Sequence, residues 1–277
     1  MITKLVLLFS VLLVVISFLL TKEEFKDYRH ILLSFIPFFN YSTAVSSGRI
    51  FTKEELAKYS GKDKTPVYLA IIGDVFDVTK GRKHYGEGGG YHFFSGKDGT
   101  RAFVSGKFTE EGLIEDTTGL SHTDLLGIED WNGFYKKQYK HIGRLAGLYY
   151  NEKGEETEAM RDFIKRLDIA KKAKQSDEDD KQRFPTCNFE YKQGQGRRIW
   201  CSTLSGGVQR DWEGVPRQYF QPGKTDPRCA CIKDFGPPSG QEEVTQHNNR
   251  GDLDNPLMKL YEGCDPSSVQ CFFPEDS

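Results

Sequence analysis

The chain has 277 residues, enough for one or two domains, and its formal net charge at pH 7 is −2. This charge balance gives no basic excess of the kind that nucleic-acid binding requires, so no nucleic-acid partner is expected. The sequence also contains no G-x-S-x-G, H-E-x-x-H or P-loop motif. We therefore predict a protein that is not an enzyme.

The N-terminus carries a targeting signal, predicted at residues 1–21. An apolar run from Leu5 to Leu20 follows Lys4 and ends at charged residues. Its length fits a secretory signal and is slightly short for a transmembrane helix, which needs roughly 20 residues. We expect a secreted protein. Because no small-x-small cleavage site follows at once, an uncleaved signal that anchors the chain at a lumenal or extracellular membrane face is the alternative.

A connector is predicted over residues 22–45. It contains a second apolar patch, Ile31–Phe39, which is too short to span a bilayer and includes a proline. This patch can pack on a domain or lie at a membrane surface. Asn40 begins a glycosylation sequon.

Residues 46–150 are predicted to form one α+β domain. The sequence Thr52-Lys53-Glu54-Glu55 is a capping box that opens a helix, which we expect to stop at Ser60-Gly61. A second cap is predicted at Ser121 for a later helix.

A β-hairpin is predicted inside this domain. The apolar runs Val67–Ile72 and Val75–Val78 are rich in strand-forming residues. Gly73-Asp74 lies between them and is typical of a two-residue turn.

Residues 151–184 are predicted to combine an amphipathic helix and a charged linker. The helix is expected from about Glu156 to Ala173, because four apolar residues recur at helical spacing: Met160, Phe163, Ile164 and Leu167. The mixed-charge run Lys171–Arg183 has no apolar face and indicates a solvated linker.

Residues 185–277 are predicted to form a loop-heavy module held by disulfides. All six cysteines lie between Cys187 and Cys271, and an even, clustered set in an exported chain is typical of a disulfide framework. The sequence does not choose among the 15 possible pairings. Cys229-Ala-Cys231 lacks the usual zinc-ligand spacing. The small core of this C-terminal module is expected at Trp200, Trp212 and Tyr219.

The most informative segment is the run Val75–Tyr91, in which a strand leads through a basic turn into a glycine-rich loop. Tyr85 and Tyr91 flank four glycines, at positions 86, 88, 89 and 90. Glycine allows a backbone to approach a flat ligand closely. A tyrosine beside such a loop can bind a metal through its oxygen.

With this loop and the later stretch Phe134–Leu145, the chain resembles the membrane-associated progesterone receptor family, a branch of the cytochrome b5-like fold, over roughly residues 47–147. The resemblance implies a haem-binding α+β domain, followed here by the helix and the disulfide-rich module. It implies that Tyr91 is the axial iron ligand, that Tyr85 hydrogen-bonds near the haem, and that Tyr139 closes the pocket.

Two features of the chain differ from haem-binding relatives. Gln138 stands where the family has a lysine, and Lys137 is the residue that can compensate for the lost charge. The chain also lacks the His-Pro-Gly-Gly motif of bis-histidine cytochromes b5, which argues against electron transfer. His84 and His92 flank the loop and are the alternative iron ligands. Basic residues that can meet the haem propionates are Lys80, Arg82 and Lys83.

The resemblance implies a non-covalent, b-type haem. A phenolate is a hard anion, so Fe(III) is expected to be favoured. The resemblance further implies a haem-mediated homodimer, an unknown receptor or membrane partner, and a haem-dependent signalling or interaction role in neural differentiation. The alternatives are a membrane-anchored steroid- or lipid-binding scaffold and, with less support, a b5-type electron carrier.

Overall fold

A computed structural model describes residues 48–241 and 243–275. The predicted signal, the connector and the sequon at Asn40 lie outside the described residues. The described chain divides into two compact units, which comprise residues 48–116 with 132–160, and residues 117–131 with 161–275. Within these ranges no helix is both long and apolar enough to cross a membrane.

A four-stranded mixed sheet forms the centre of the first unit. Its strands are β1 (Arg49–Phe51), β2 (Tyr68–Ile71), β3 (Asp74–Asp77) and β4 (Lys140–Leu145), in the order β1-β4-β3-β2. Strand β1 pairs parallel to β4, and the other pairs are antiparallel. One face of the sheet buries an apolar cluster: Phe51, Leu56, Ala70, Val75 and Leu145. The sheet therefore joins the two ends of the predicted domain.

Short helices surround this sheet. They are α1 (Lys53–Ala57), α2 (Arg82–Tyr85) and α3 (Ala102–Ser105). The long helix α4 (His122–Gln138) ends just before β4. Both predicted caps are confirmed, because the Thr52 hydroxyl accepts the Glu55 N–H and the Ser121 hydroxyl accepts the Asp124 N–H. Helix α1 stops earlier than predicted, since Ser60 pairs with Val67 as an isolated bridge and draws the backbone into an extended path.

The β2–β3 hairpin turns one residue earlier than predicted. Ile71 pairs with Asp74, so the turn residues are Ile72 and Gly73, both with positive φ. A β-branched residue in this region is strained by on the order of 1–2 kcal/mol. Two buried hydrogen bonds hold the turn: the Ile72 N–H donates to Thr100 Oγ1 at 2.7 Å, and the Gly73 N–H donates to Asp98 Oδ2 at 2.9 Å.

Asp74 ties β3 to two other elements of the first unit. Its buried carboxylate lies 3.0 Å from Lys136 Nζ on α4 and 3.3 Å from His141 Nε2 on β4. Burial raises the pKa of Asp74, but the hydrogen bond from His141 and the charge of Lys136 outweigh it, and the pKa lies below its ordinary value. The carboxylate is therefore held in its charged form.

Helix α5 (Glu158–Arg183) corrects the prediction of a charged linker. The helix continues through Lys171–Arg183 because acidic side chains in this run bind groups of the second unit. Asp180 accepts hydrogen bonds from the Tyr219 hydroxyl and the Arg228 guanidinium, at 2.8 and 2.9 Å. Along the predicted apolar stripe Met160, Phe163 and Leu167 are buried, whereas Ile164 is exposed.

The second unit continues with short strands in three small sheets. The first sheet has the order β10-β9-β11, the second β12-β6-β5, and the third is the pair β7-β8. Their residue ranges are β5 (Asn188–Lys192), β6 (Gly196–Trp200), β7 (Leu204–Ser205), β8 (Val208–Gln209), β9 (Val215–Tyr219), β10 (Arg228–Ile232), β11 (Met258–Lys259) and β12 (Gln270–Phe273).

The predicted disulfide framework is confirmed, with the pairs Cys187–Cys229, Cys201–Cys231 and Cys264–Cys271. The prediction for the small core is right for Tyr219, which packs with Phe184, Val215 and Ile232. It is wrong for the two tryptophans. Each is half-buried and lies outside the apolar clusters, with an arginine over its ring: Arg198 over Trp200 and Arg210 over Trp212.

We expect Thr100→Val to lower the free energy of unfolding by about 1–3 kcal/mol, because it leaves the buried Ile72 N–H without an acceptor while keeping the side-chain shape. Urea unfolding of the full chain measures this. Thr123→Val, at an exposed position, is the matched control. Equal stability of the two variants would contradict the assigned role of the Thr100 hydroxyl.

We expect Asp74→Asn to lower the free energy of unfolding at neutral pH by about 1.5–3 kcal/mol, the range for a hydrogen bond to a charged group. Because the folded-state pKa is depressed, this stabilisation is present above the ordinary value of 3.8 and is lost as the pH falls through the folded-state pKa. The difference between wild type and variant should therefore shrink as the pH falls below about 4. The exposed Asp63→Asn serves as control, and a pH-independent difference would refute the assignment.

Candidate functional site

The glycine-rich loop follows α2 and is shaped by close backbone contacts. The Gly89 N–H donates to the Gly86 carbonyl, and the Tyr91 N–H donates to the His84 carbonyl, each at 2.9 Å. A Cβ added at Gly89 would lie 2.2 Å from the His84 oxygen, and one at Gly86 would lie 2.7 Å from the Arg82 oxygen. Both positions therefore require glycine for the fold itself.

Two other glycines of the loop have a different environment. A Cβ added at Gly88 or Gly90 would meet no atom within 4 Å. At Gly90 neither a packing contact nor the backbone conformation requires glycine, because the space is open and φ is not positive. These two glycines leave a bare backbone surface beside Tyr91, which a flat group can approach.

Tyr91 is the exposed tyrosine of the site. Its side chain is 51% exposed, and its ring centroid lies 6.0 Å from that of Tyr85 and 6.3 Å from that of Phe93. Among the residues described here its hydroxyl makes no hydrogen bond. The phenol oxygen of Tyr91 is thus available to a ligand at the surface.

Tyr85 is buried and has a different role. Its hydroxyl shares a 2.7 Å hydrogen bond with the hydroxyl of Tyr135. Burial raises the pKa of Tyr85 to about 12, although the hydrogen bond to Tyr135 acts in the opposite direction. Burial also raises the pKa of Tyr135. Both side chains are therefore neutral phenols at physiological pH.

Tyr139 completes a cluster of four tyrosines in the first unit. Its ring centroid lies 5.4 Å from that of Tyr135 and 6.0 Å from that of Tyr85. Its hydroxyl is 2.8 Å from the point where a Cβ on Gly81 would stand, so the close packing requires glycine at that position. Lys80 Nζ lies 5.0 Å above the Tyr139 ring, a cation–π arrangement.

Sequence reasoning missed Tyr135 as a partner of Tyr85. Tyr135 lies four residues before Tyr139, and the Tyr139 N–H donates to the Tyr135 carbonyl at 2.8 Å. Both rings therefore point to the same side of the helix end. The spacing of four between two tyrosines at the end of a capped helix was the available signal.

The polar residues predicted around the site divide into exposed and occupied groups. The side chains of Lys83, Lys137 and Gln138 are exposed and belong to the same unit as the tyrosines. Arg82 is occupied, since its guanidinium donates to the carbonyls of Gly61 and Thr65 and so braces the backbone before β2. Arg82 therefore holds the fold, and its contact with a propionate stays a prediction of the sequence.

The two histidines beside the loop have unequal environments. His84 is exposed, with its ring centroid 6.5 Å from those of Tyr85 and Tyr91. His92 is half-buried, and its Nδ1 lies 3.1 Å from the Tyr85 carbonyl oxygen, which also accepts a hydrogen bond from Ser95 Oγ at 2.6 Å. One ring nitrogen of His92 is thus used to position Tyr85.

A separate cavity of about 340 Å³ lies elsewhere in the first unit. Its walls include Leu56, Leu113, Ile114 and Leu145, with Lys53 and Lys97 among the polar residues. No tyrosine of the cluster lines it. Lys53 is bound to Glu115 at 2.6 Å, and Lys97 to Glu110 at 2.8 Å.

Comparison with known proteins identifies the family. A family model described as "Cytochrome b5-like Heme/Steroid binding domain" matches residues 52–146. Neuferricin of Xenopus tropicalis is 48% identical over 82% of this chain and 84% of the relative. Neuferricin of Mus musculus is 44% identical, covering 82% and 86%, and the neuferricin homolog of Caenorhabditis elegans is 46% identical, covering 82% and 70%.

The chain belongs to the neuferricin family. The predicted fold class is confirmed: a cytochrome b5-like domain of mixed helices and strands, with three disulfides in the C-terminal part. Among solved structures, a hypothetical Arabidopsis thaliana protein with a cytochrome b5 like fold is 37% identical. It covers 37% of this chain and 94% of its own, with a TM-score of 0.34.

The environments of the loop glycines in this neuferricin-family chain predict unequal responses to alanine. We expect Gly89→Ala to lower the free energy of unfolding by about 1–3 kcal/mol, because its Cβ collides with a backbone carbonyl. Gly90→Ala is the matched control and should change stability little, since its Cβ enters open space. Denaturant unfolding of both variants measures the difference, and equal losses would show that the contacts at Gly89 do not shape the loop.

Proposed function

We propose that this chain is a non-enzymatic haem-binding protein whose iron ligand is the phenolate of Tyr91. The observation that carries the proposal is the surface described above, in which an exposed phenol stands beside a bare glycine backbone. A flat macrocycle fits such a surface, because Gly88 and Gly90 place no side chain above it. The matched domain family, described as heme/steroid binding, supports haem as the ligand.

The protonation chemistry separates Tyr91 from its neighbours. A free tyrosine has a pKa near ~10, and binding to a ferric ion favours the phenolate, as metals do for other ligands. Tyr85 is a poor candidate for this change, since its burial raises its pKa to about 12. Tyr85 and Tyr135 then act as buried neutral phenols that support the exposed ligand, and the Tyr139 ring packs beside both of them. Tyrosine ligation of haem has a precedent in catalase.

Bound haem would supply a ferric centre held by a hard anionic oxygen. The proposed haem is b-type and non-covalent, because no cysteine precedes Cys187 to form a thioether. Fe(III) is favoured because the phenolate oxygen is a hard anion. Lys83 and Lys137 are the exposed cations proposed to meet the propionates. Gln138 can offer a hydrogen bond in place of the family's lysine but no charge.

A haem bound at this exposed surface would leave one face to a second copy of the chain, which favours the proposed haem-mediated homodimer. We also propose that the protein is secreted or lumenal, with a membrane-anchored form as the alternative. The three disulfides support an oxidising compartment, which both forms share. A receptor or membrane partner and a role in neural differentiation stay predictions of the resemblance.

The alternative of a steroid- or lipid-binding scaffold has one specific support. The 340 Å³ cavity has mainly aliphatic walls, and its volume is within the range of about 300–1,000 Å³ common for small-molecule sites. It shares no residue with the tyrosine cluster, so the two functions can be tested separately.

The test is a hemin titration of the full chain, followed by absorption spectroscopy. Wild type should give a high-spin ferric spectrum with a charge-transfer band. Tyr91→Phe should lose the band and at least about tenfold in affinity, since the iron loses its anionic ligand, corresponding to about 1.4 kcal/mol. Tyr191→Phe is the matched control, because Tyr191 has a similar exposure of 57% in the other unit.

Each other result has a defined meaning. A low-spin spectrum that survives Tyr91→Phe would assign the iron to His84 or His92 and revive electron transfer. Absence of hemin binding by a folded wild type would refute the proposal. If that wild-type protein bound a steroid instead, the result would favour the cavity as the binding site and the scaffold as the function.

A further inference from the structure

Two disulfides of the second unit converge on one strand. Cys229 and Cys231 are alternate residues of β10, so their side chains point to the same face. Cys229 is bonded to Cys187, the residue just before β5, and Cys231 is bonded to Cys201, the residue just after β6. Both bridges therefore join the sheet β12-β6-β5 to the sheet β10-β9-β11.

Three of these four sulfurs form a compact group. The Sγ atoms of Cys187, Cys201 and Cys231 all lie within 4.8 Å of one another, and the three residues are buried. The sulfur of Cys229 does not belong to this trio. Cys229 is instead the partly exposed member of its bridge. The two ends of the Cys187–Cys229 bridge thus differ: one belongs to a partly exposed residue, and the other belongs to a buried residue beside the second bridge.

We propose that these four cysteines form a thiol–disulfide exchange site for a small external monothiol. A thiolate attacks a disulfide sulfur, and the rate depends on access to that sulfur and on thiolate character. The accessible end of the Cys187–Cys229 bridge determines where the thiol enters. The sulfur trio determines where the released thiolate reacts next.

The exchange proceeds in two balanced steps. The external thiolate attacks Cys229 Sγ; a mixed disulfide forms on Cys229, the Cys187–Cys229 bond breaks, and the electron pair leaves as the Cys187 thiolate. That thiolate attacks Cys201 or Cys231; a new disulfide to Cys187 forms, the Cys201–Cys231 bond breaks, and the remaining cysteine leaves as a thiolate that takes a proton from water. One external thiol is consumed and one protein thiol appears, so the number of disulfides is unchanged.

The position of the new bridge has a structural consequence. Cys187 and Cys201 are 14 residues apart and flank the β5–β6 hairpin. A Cys187–Cys201 bridge lies within the sheet β12-β6-β5 and removes both covalent links to β10. Attack on Cys201 therefore uncouples two sheets that are cross-linked in the starting state, whereas attack on Cys231 leaves one covalent link to β10.

The first experiment compares two variants of the full chain that break the same bridge. Cys229→Ser leaves the thiol on Cys187, inside the trio, and Cys187→Ser leaves it on Cys229, outside it. After incubation at mildly alkaline pH, alkylation with iodoacetamide and peptide mass mapping show which cysteine carries the label. We expect Cys229→Ser to lose label from Cys187 and gain it on Cys201 or Cys231, and Cys187→Ser to keep it on Cys229.

Two results would overturn the proposal. In the first, Cys187 retains the label in Cys229→Ser. In the second, both variants rearrange alike, which would mean non-specific shuffling by partly unfolded chains. An unlabelled Cys264–Cys271 bridge and an unchanged circular dichroism spectrum verify folding.

Wild type decides the question if a variant does not fold. Brief treatment with reduced glutathione should place glutathione on Cys229 and the alkyl label on Cys201 or Cys231. Glutathione on any other cysteine, or a label confined to Cys187, would contradict the proposed order of steps.

Discussion

The hydrogen bond between the hydroxyls of Tyr85 and Tyr135 is the contact on which the candidate site depends. It joins the short helix before the glycine loop to the long helix α4 in the interior of the first unit. The carbonyl of Tyr85 is held as well, by Ser95 Oγ and His92 Nδ1. Because both ends of Tyr85 are fixed, the loop that follows leaves the helix in one direction and presents Tyr91 to solvent.

This arrangement separates buried tyrosines from an exposed one. Desolvation disfavours the phenolate of the buried tyrosines, so they pack and hydrogen-bond as neutral groups. The side chain of Tyr91, by contrast, is 51% exposed. The loop glycines divide in the same way. Gly86 and Gly89 satisfy backbone contacts within the loop, and Gly88 and Gly90 leave free the surface that we propose for haem.

The second unit is held together by a different set of interactions. Its strands have only two to five residues, and its apolar clusters are small. Covalent links supplement this burial, as in many small exported domains. The acidic end of helix α5 adds polar anchoring through Asp180, which binds Tyr219 and Arg228 together. Because two of the bridges meet at neighbouring sulfurs, the same links that hold the sheets together also provide a route for their exchange.

The sequence by itself determined the local features. The two helix caps and the two strands of the hairpin follow from residues near one another in the chain, because caps, turns and strand patterns are short-range interactions. The disulfide framework was predicted from the even, clustered set of cysteines. The cytochrome b5-like class was predicted from a resemblance carried by two separated stretches of the chain. The glycine loop with its two tyrosines is also a local feature. Its assignment to haem remains a proposal that rests on the exposure of Tyr91 and the bare backbone beside it.

Only the tertiary structure decided which distant groups meet. The extension of α5 to Arg183 depends on partners such as Tyr219, which lies 39 residues beyond Asp180. Tyr135 became the partner of Tyr85 across a separation of 50 residues. The position of the hairpin turn depends on Thr100, whose hydroxyl accepts the Ile72 N–H and offsets strain that no local pattern predicts. The cysteine pairing was one of 15 possibilities, and the chain path alone selected it, because a disulfide forms only between sulfurs that the fold brings together.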